Sequence, residues 1–333
     1  MLVSIVISAL NEERYLPNLF EDLKNQTYSK EKIEVLLINA MSTDRTRVLM
    51  EQFRDNNTSF KSIRVLDNPK KNQASGFNLG VLNSLGDCIL KIDAHATIPK
   101  DFVEKNVINI KNGEYVCGGV RPTLVESNDN FSKTLYLVEE NMFGSSIANY
   151  RKSKTAVYVK SIFHGMYKRE VFDTVGLVDE RLGRTEDNEF HYRLREHGYK
   201  IYFDPKVISY QYIRPTLSKM LKQKYSNGFW IGLTSHVKPK CLSIFHFVPF
   251  VFVLGIFFSL SILPITKFFA LSLALLYGLF TILVTVMTIA SNKFNCTLLL
   301  MPFLLFSIHF AYGLGTLVGV LKGFSWKREY FKS

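Results

Sequence analysis

The sequence predicts an α/β protein built on a mostly parallel, doubly wound sheet and followed by an apolar region. Before residue 115, short apolar runs rich in β-branched residues alternate with helical patterns, as in a parallel sheet that is covered on both faces. The connections between these segments are short, which favours successive βαβ units. Residues 243–321 then contain only two charged side chains, Lys267 and Lys293. We therefore predict a soluble domain over residues 1–235, a basic linker over 236–242 and a membrane region over 243–333.

The predicted elements follow one another without an internal repeat. A helix is expected from residue 11 to about 25, and STDRTRVLMEQFRDN predicts a second helix with a Ser or Thr N-cap. ASGFNLGVLNSL predicts a third, and NEFHYRLREHG predicts a later helix that ends at Gly198. Strands are expected at LVSIVISAL, IEVLLINA, SIRVLDN, GDCILKIDAH, EYVCGGVRP and IYFDPKVISYQYI.

Polar residues follow the predicted parallel strands. Right-handed crossovers place the carboxyl ends of such strands at one edge of the sheet, and ligands bind at that edge. The residues concerned are Asn11, Glu12, Asn39, Asp67 to Lys71, and Asp93 to His95. We expect them to converge although they come from different segments.

The chain carries a formal net charge of +12. Such a charge can serve solubility alone, but its distribution favours an anionic membrane face or a phosphorylated ligand. No zinc-finger spacing or recognition-helix pattern is present, so nucleic acid is not an expected partner. Basic residues gather just before the first apolar run, at Lys219, Lys222, Lys224, Lys238 and Lys240.

The four cysteines are scattered and include no Cys-x-x-Cys pair, so neither a zinc motif nor a redox motif is expected. The N-terminal segment MLVSIVISAL lacks a basic leader and continues into NEER. It predicts a first strand and not a signal peptide.

Three apolar runs, 243–263, 268–290 and 297–321, are each about as long as a membrane span. Basic residues precede the first run and follow the last, so both flanks favour the cytoplasmic side. Three full spans cannot satisfy both flanks. Either one run is re-entrant or interfacial, or the short C-terminal tail lies on the other side. Gly315 and Gly319 have the spacing that allows close helix packing.

Two acidic sites are candidates for chemistry. Asp93 and His95 follow the fourth strand and could hold Mn²⁺ or Mg²⁺ together with substrate phosphates. They could equally be a turn aspartate and a surface histidine. Glu186 and Asp187 begin a helix, where they could be ordinary helix-start acids or include a catalytic base.

Four motifs, VSIVISALNEE, NAMSTDRT, GFNLGVLNSLGDCILKIDAHATIP and TEDNEFHYRLREHGYKI, stand in the order found in family 2 glycosyltransferases. Residues 1–235 resemble that family, which implies a GT-A nucleotide-diphosphosugar transferase fold for this catalytic domain. The Asp-Ala-His signature and the apolar C-terminus resemble the succinoglycan-type exopolysaccharide subgroup.

The resemblance also implies roles for residues. Asp187 is the expected base, and Glu186 is expected to orient the acceptor. Asn39 stands where the family usually has an aspartate that reads the nucleotide base. His95 replaces the second aspartate of the family's metal-binding pair and joins Asp93 as a metal ligand. The nucleotide sugar is expected at Ser8, Asn11, Glu12, Asn39, Ser42, Asp44, Lys71, Asn78 and Asp93. The acceptor is expected at His164, Gly165, Arg193, Gln223 and Trp230.

The resemblance implies inverting, metal-dependent transfer of a sugar from a nucleotide diphosphate sugar to a polyprenyl-linked saccharide, and by analogy with the family the expected donor is a UDP-sugar. The product would belong to exopolysaccharide or capsule synthesis at the cytoplasmic face of the cell membrane. QKYSNGFW departs from the Gln-x-x-Arg-Trp motif of processive synthases, which favours transfer of a single sugar. Two alternatives stay open: transfer to a bare polyprenyl phosphate, and a non-catalytic membrane scaffold that binds sugar nucleotides.

Overall fold

The computed structural model describes residues 1–127, 129–141, 154–213 and 216–332. The chain forms two compact units. The first comprises Met1–Leu124 and Asn149–Tyr212, and the second comprises Val125–Ala148 and Ile213–Ser333. This division gives residues 213–235 to the same unit as the apolar helices, whereas the sequence predicts a soluble domain that extends to residue 235.

The first unit contains every strand found in the described residues, and the elements are numbered along the whole chain. Its helices are α1 (Leu16–Lys24), α2 (Thr46–Asp55), α3 (Gln73–Asn83), α4 (Phe102–Lys111), α6 (Arg169–Val175) and α7 (Glu186–Glu196). Its strands are β1 (Val3–Ala9), β2 (Ile33–Asn39), β3 (Ser62–Asp67), β4 (Cys88–Asp93), β5 (Ala96–Thr97), β6 (Val116–Val120), β7 (Thr123–Leu124), β8 (Val157–Val159), β9 (Met166–Lys168), β10 (Ile201–Ile208) and β11 (Tyr210–Tyr212).

The main sheet has the strand order β3-β2-β1-β4-β9-β6-β10-β8. Strands β3, β2, β1 and β4 are parallel, and β10 is parallel to β6. Strand β9 is antiparallel to both β4 and β6. A smaller sheet has the order β5-β11-β7. The predicted α/β class with a mostly parallel sheet is confirmed.

The apolar sequences of the central strands follow from this layout. Strands β1 and β2 lie inside the parallel half of the sheet, and helices pack against both faces. Nearly every residue of β1 and all of β2 are buried. An alternating pattern is therefore absent, as expected for strands without a solvent-facing side.

Two predicted helix starts differ from the structure. α1 begins at Leu16 and not at residue 11, because Asn11 adopts a left-handed backbone with φ 56°. The predicted Ser or Thr N-cap of α2 is wrong, since Arg45 occupies that position. The Asp44 carboxylate accepts the Thr46 N–H at 3.0 Å, while the Thr46 hydroxyl accepts the Glu12 N–H at 2.8 Å.

The second unit is helical. Its helices are α5 (Asn130–Glu140), α8 (Leu217–Thr234), α9 (Val248–Ser261), α10 (Phe268–Ser291) and α11 (Met301–Tyr330). Short 3-10 turns extend α9 and α11 at their N-termini. Three segments have the length and the apolar composition that a membrane crossing needs: Ile244–Ser261, Phe268–Ser291 and Cys296–Tyr330. The three predicted apolar segments are thus confirmed as helices.

Glycines bring α8 and α11 into backbone contact. A Cβ atom on Gly315 would lie 2.1 Å from the Tyr225 carbonyl oxygen, and one on Gly319 would lie 2.1 Å from that of Phe229. The close approach predicted from the spacing of Gly315 and Gly319 is therefore present, and its partner is α8.

Candidate active site

Unusual backbone geometry marks one edge of the main sheet. The non-glycine residues with positive φ among those described are Asn11, Met41, Lys71 and His164, at 56°, 58°, 56° and 45°. The first three follow the carboxyl ends of β1, β2 and β3, and His164 precedes β9 beside the end of β4. Non-glycine residues rarely adopt this conformation, and strained positions gather at functional sites. These residues lie at the edge where the parallel strands end, which is the edge predicted to bind ligands.

The loops after β1 and β2 are joined by hydrogen bonds. The Asn11 N–H donates to the Ser42 hydroxyl at 3.1 Å, and the Asn11 side-chain oxygen accepts the Thr43 N–H at 2.8 Å. The Glu13 N–H donates to Asp44 at 3.2 Å. Three residues predicted to bind the nucleotide sugar, Asn11, Ser42 and Asp44, thus lie together.

Asn39 lies at the end of β2 in register with Asp67 on β3. Its amide donates to Asp67 at 2.9 Å, and its side-chain oxygen accepts the Ser42 N–H at 3.0 Å. Hydrogen bonds from Arg47 and then Asn39 lower the pKa of Asp67. This part of the site therefore contains a carboxylate, but it is the side chain of Asp67 on β3. The position on β2 where the family usually has an aspartate carries the amide of Asn39.

Ser8 and Asn78 lie where α3 packs on the sheet. A Cβ atom on Gly76 would come within 2.3 Å of the Ser8 hydroxyl. The Asn78 side chain is buried and bonds both backbone groups of Val178, at 2.8 and 3.0 Å. These contacts hold the segment that precedes α7, so Asn78 has a structural role. Its role in donor binding stays a prediction.

Asp93 ends β4 and is enclosed by polar partners. It accepts a hydrogen bond from Gln73 at 3.0 Å, and the His164 Nε2 atom lies 3.2 Å from its Oδ2 without an aligned hydrogen bond. Burial acts to raise the pKa of Asp93, but His164, His95 and Lys91 outweigh it and hold that pKa well below its usual range. Burial lowers the pKa of His164 despite the attraction of Asp93.

His95 lies at the same edge, and both of its ring nitrogens have partners. Nδ1 is 3.3 Å from Glu12, and Nε2 is 2.5 Å from the Gln211 amide. Within the four described ranges, no three His, Cys, Asp or Glu side chains are grouped closely enough to hold a metal ion. The Nε2 atom of His164 is buried beside Asp93 and has no hydrogen-bond partner among the described residues. This fits a cation that Asp93 would share with substrate oxygens, since such cations often take only one or two protein carboxylates.

Glu186 and Asp187 begin α7, as predicted. The Lys91 ammonium donates to Oδ1 of Asp187 at 2.8 Å. Burial would lower the pKa of Lys91, but the carboxylates of Asp187, Asp93 and Glu186 raise it above its usual range. Glu186 is buried, and burial followed by repulsion from Asp187 raises its pKa to about 7. Lys91 was not predicted, although a lysine inside the apolar strand CILKID is a signal in the sequence.

The residues predicted for the acceptor belong to both units. His164 and Gly165 lie at the sheet edge, where the Gly165 carbonyl accepts the Lys91 N–H at 3.0 Å. Arg193 bonds Glu189 and the carbonyls of Val175 and Leu177, so its described contacts are structural. Gln223 and Trp230 belong to α8 in the second unit, where Trp230 packs edge-on against Trp326.

Comparison with known families identifies the family of the chain. The model for glycosyl transferase family 2 matches residues 4–176, which is more than half of the chain and includes the loops after β1, β2, β3 and β4. The chain belongs to this family. The resemblance to family 2 and the GT-A fold is therefore confirmed, and the protein is a glycosyltransferase.

Two curated relatives resemble the transferase over much of its length. A Methanococcus voltae enzyme, dolichyl N-acetyl-alpha-D-glucosaminyl phosphate 3-beta-D-2,3-diacetamido-2,3-dideoxy-beta-D-glucuronosyltransferase, is 28% identical across 96% of this chain and 98% of its own. The succinoglycan biosynthesis protein ExoA of Rhizobium meliloti (strain 1021) is 27% identical across 67% of each chain. Relatives of the transferase thus act on lipid-linked or polysaccharide substrates.

A solved structure shares the fold. The mannosyltransferase PcManGT from Pyrobaculum calidifontis, in complex with GDP-Man and Mn²⁺, aligns with a TM-score of 0.57 at 15% identity. The alignment covers 98% of the transferase and 87% of that chain. At this identity, the likeness supports the shared architecture only.

Proposed function

We propose that this transferase moves one sugar, with inversion, from a UDP-sugar to a polyprenyl-linked saccharide at a membrane. The similarity to an enzyme named for a dolichyl phosphate-linked acceptor, over nearly the full length of both chains, supports this acceptor. The three long apolar helices support a membrane location. Nucleotide sugars are made in the cytoplasm, so the catalytic domain is assigned to that side. The similarity to a succinoglycan protein supports a role in exopolysaccharide synthesis.

The observation that carries the proposal is the Asp187 carboxylate, which is held through Oδ1 by the half-buried Lys91 ammonium and has a partly exposed side chain. Among the described residues, no other side chain bonds Asp187. Its Oδ2 atom is therefore available to an acceptor hydroxyl, as a general base requires.

The reaction follows from this assignment. The acceptor hydroxyl oxygen forms a bond to the anomeric carbon from the face opposite the diphosphate. Asp187 takes the hydroxyl proton, and the bond between the anomeric carbon and the diphosphate oxygen breaks. Glu186, buried beside Asp187, orients the acceptor. Lys71, in the strained loop after β3, faces the growing negative charge of the departing nucleotide diphosphate.

The proposed reaction includes a divalent ion. Asp93 and His95 would hold Mn²⁺ or Mg²⁺ together with diphosphate oxygens, and the bound ion would offset the charge of the leaving group. Because both ring nitrogens of His95 already have partners, ion binding requires His95 to release Glu12 or Gln211.

The test is a donor screen with the full chain, using membranes that contain lipid-linked oligosaccharides, followed by mass spectrometry of the lipid product. We expect one added hexose-type residue per lipid, with inverted anomeric configuration by NMR. Asp187→Asn should lower the transfer rate by about 10²- to 10⁴-fold, as expected for loss of a general base.

The same variant separates the alternatives. A bare polyprenyl phosphate is already ionised and needs no base, so undiminished transfer by Asp187→Asn would assign the protein to that reaction. Binding of UDP without transfer or hydrolysis of any sugar nucleotide would support the non-catalytic scaffold instead.

A further inference from the structure

Lys91 occupies a position where an apolar side chain would be expected. It lies in β4, whose neighbouring residues Ile89, Leu90 and Ile92 are buried. Its own side chain is 13% exposed, and the ammonium lies 5.5 Å from the centroid of the Phe77 ring. Burying an ammonium is costly unless it is paired, and an apolar residue of similar volume is often at least as stable. The charge therefore needs a reason other than stability.

The charged groups that act on the Lys91 ammonium are carboxylates of the site. Because alternate residues of a strand share a face, Lys91 and Asp93 lie on the same side of β4. Its ammonium donates to Asp187 on α7 at 2.8 Å, and Glu186 precedes Asp187. The titratable neighbours on the remaining packed elements are Tyr167 of β9 and His191 of α7, which are hydrogen-bonded to each other at 2.9 Å.

We propose that Lys91 is a positioning residue for the base Asp187, a role that rests on the proposed function. The ammonium holds Oδ1, so that the carboxylate keeps one orientation and presents Oδ2 to the acceptor hydroxyl. It also offsets the negative charge that Asp93, Glu186 and Asp187 bring to one small region. Asp187, with a side chain 39% exposed, has no other described side chain to fix its orientation.

The backbone supports this position. The Lys91 N–H donates to the Gly165 carbonyl at 3.0 Å, next to His164, whose imidazole faces Asp93. The same strand therefore carries Asp93, assigned to the donor side, and Lys91, which fixes the base. A change at Lys91 is expected to disturb the orientation of the base without removing a donor contact.

The experiment compares Lys91→Met, Asp187→Asn and the double variant in the full chain. Lys105→Met is the matched control, because Lys105 makes an ion pair of the same 2.8 Å length on the surface of α4. Transfer rates are measured with the donor and lipid-linked acceptor found by the screen, and donor-site integrity is measured by calorimetry with UDP.

We expect Lys91→Met to lower kcat by about 10²-fold, within the range for a misplaced general base, while the Kd for UDP changes less than about threefold. The double variant should be no slower than Asp187→Asn alone, since Lys91 acts through that carboxylate. Lys105→Met should match the wild type. A Lys91→Met rate near that of the wild type, or losses that multiply in the double variant, would overturn the proposal.

A second measurement covers a variant that folds poorly. Lys91→Ala leaves space for a small amine. Ethylammonium added to the assay should raise the transfer rate of this variant at least tenfold. Lack of restoration in a variant with the wild-type Tm would also overturn the role. If Asp187→Asn is fully active, the proposed function itself fails. If Asp187→Asn is slow while Lys91→Met is fast, only the role of Lys91 fails.

Discussion

Glu186 links protonation to stability. Only 6% of the residue is exposed, and its Oε2 atom has no hydrogen-bond partner among the residues that the structure describes. Burial, followed by repulsion from Asp187, raises its pKa from 4.5 to about 7. Because the folded protein binds this proton more tightly than the unfolded chain, the resulting stability is complete below pH 4.5 and is lost as the pH rises through 7.

The size of the effect follows from the shift. One pKa unit corresponds to about 1.4 kcal/mol, so a shift from 4.5 to about 7 corresponds to roughly 3 kcal/mol. Glu186→Gln cannot ionise and escapes this loss. Its free energy of unfolding, relative to that of the wild type, should therefore rise by about 3 kcal/mol between pH 4.5 and pH 8. For a domain of 150–250 residues, this equals a relative Tm increase of about 6–12 °C.

The assay is thermal unfolding of the purified full chain in detergent, followed by circular dichroism from pH 4.5 to 8.5. Glu170→Gln is the control, because Glu170 also lies in the first turn of a helix but is exposed. Its Tm curve should run parallel to that of the wild type. Parallel curves for Glu186→Gln and the wild type would refute the assignment of a buried, proton-binding Glu186.

Four further predictions follow. Gly119→Ala should lower the free energy of unfolding by about 1–3 kcal/mol, because the added Cβ would lie 1.9 Å from a backbone oxygen of β10; an unchanged urea midpoint would contradict this. Asn39→Asp places a second carboxylate against Asp67, 2.9 Å from the present amide, and should weaken UDP binding about tenfold by calorimetry. An unchanged Kd would exclude repulsion at this point. EDTA should abolish transfer, and Mn²⁺ should restore it at least as well as Mg²⁺; full activity in EDTA would remove the metal role. In a cysteine-free background, Lys240→Cys and Lys332→Cys should react with an impermeant maleimide from the same side of sealed vesicles, and labelling from opposite sides would contradict a shared location.

Strands β1 and β2 could be predicted because they are buried on both faces and therefore appear as continuous apolar runs. Strand β9 could not be predicted, because a strand of three residues is too short to show an alternating pattern of apolar and polar residues. That short strand nevertheless sets the site, because it lies beside β4 and brings His164 next to Asp93. Contacts between distant short segments leave no periodic pattern in a sequence.

The convergence of strand ends was predictable from topology alone, but the partners of individual side chains were not. Arg193 was assigned to the acceptor from a family position, whereas the structure bonds it to Glu189. The spacing of these two residues, four apart on a helix, is a signal that sequence reasoning could have used. Lys91 has a weaker signal, since one lysine in an apolar strand does not reveal which carboxylate it meets.

The two basic flanks of the apolar region pose a conflict in the sequence that packing resolves. The His236 ring contacts the Val320 carbonyl at 2.9 Å, and the Trp230 and Trp326 rings meet at 6.1 Å. The segment after α8 and the last turns of α11 therefore lie at the same end of this helix pair. When both flanks share one end, the preference of basic residues for the cytoplasmic side is satisfied at both. An odd number of complete crossings would separate the flanks, so a re-entrant or interfacial position for one of the three apolar helices stays a prediction, which the labelling of Lys240→Cys and Lys332→Cys tests.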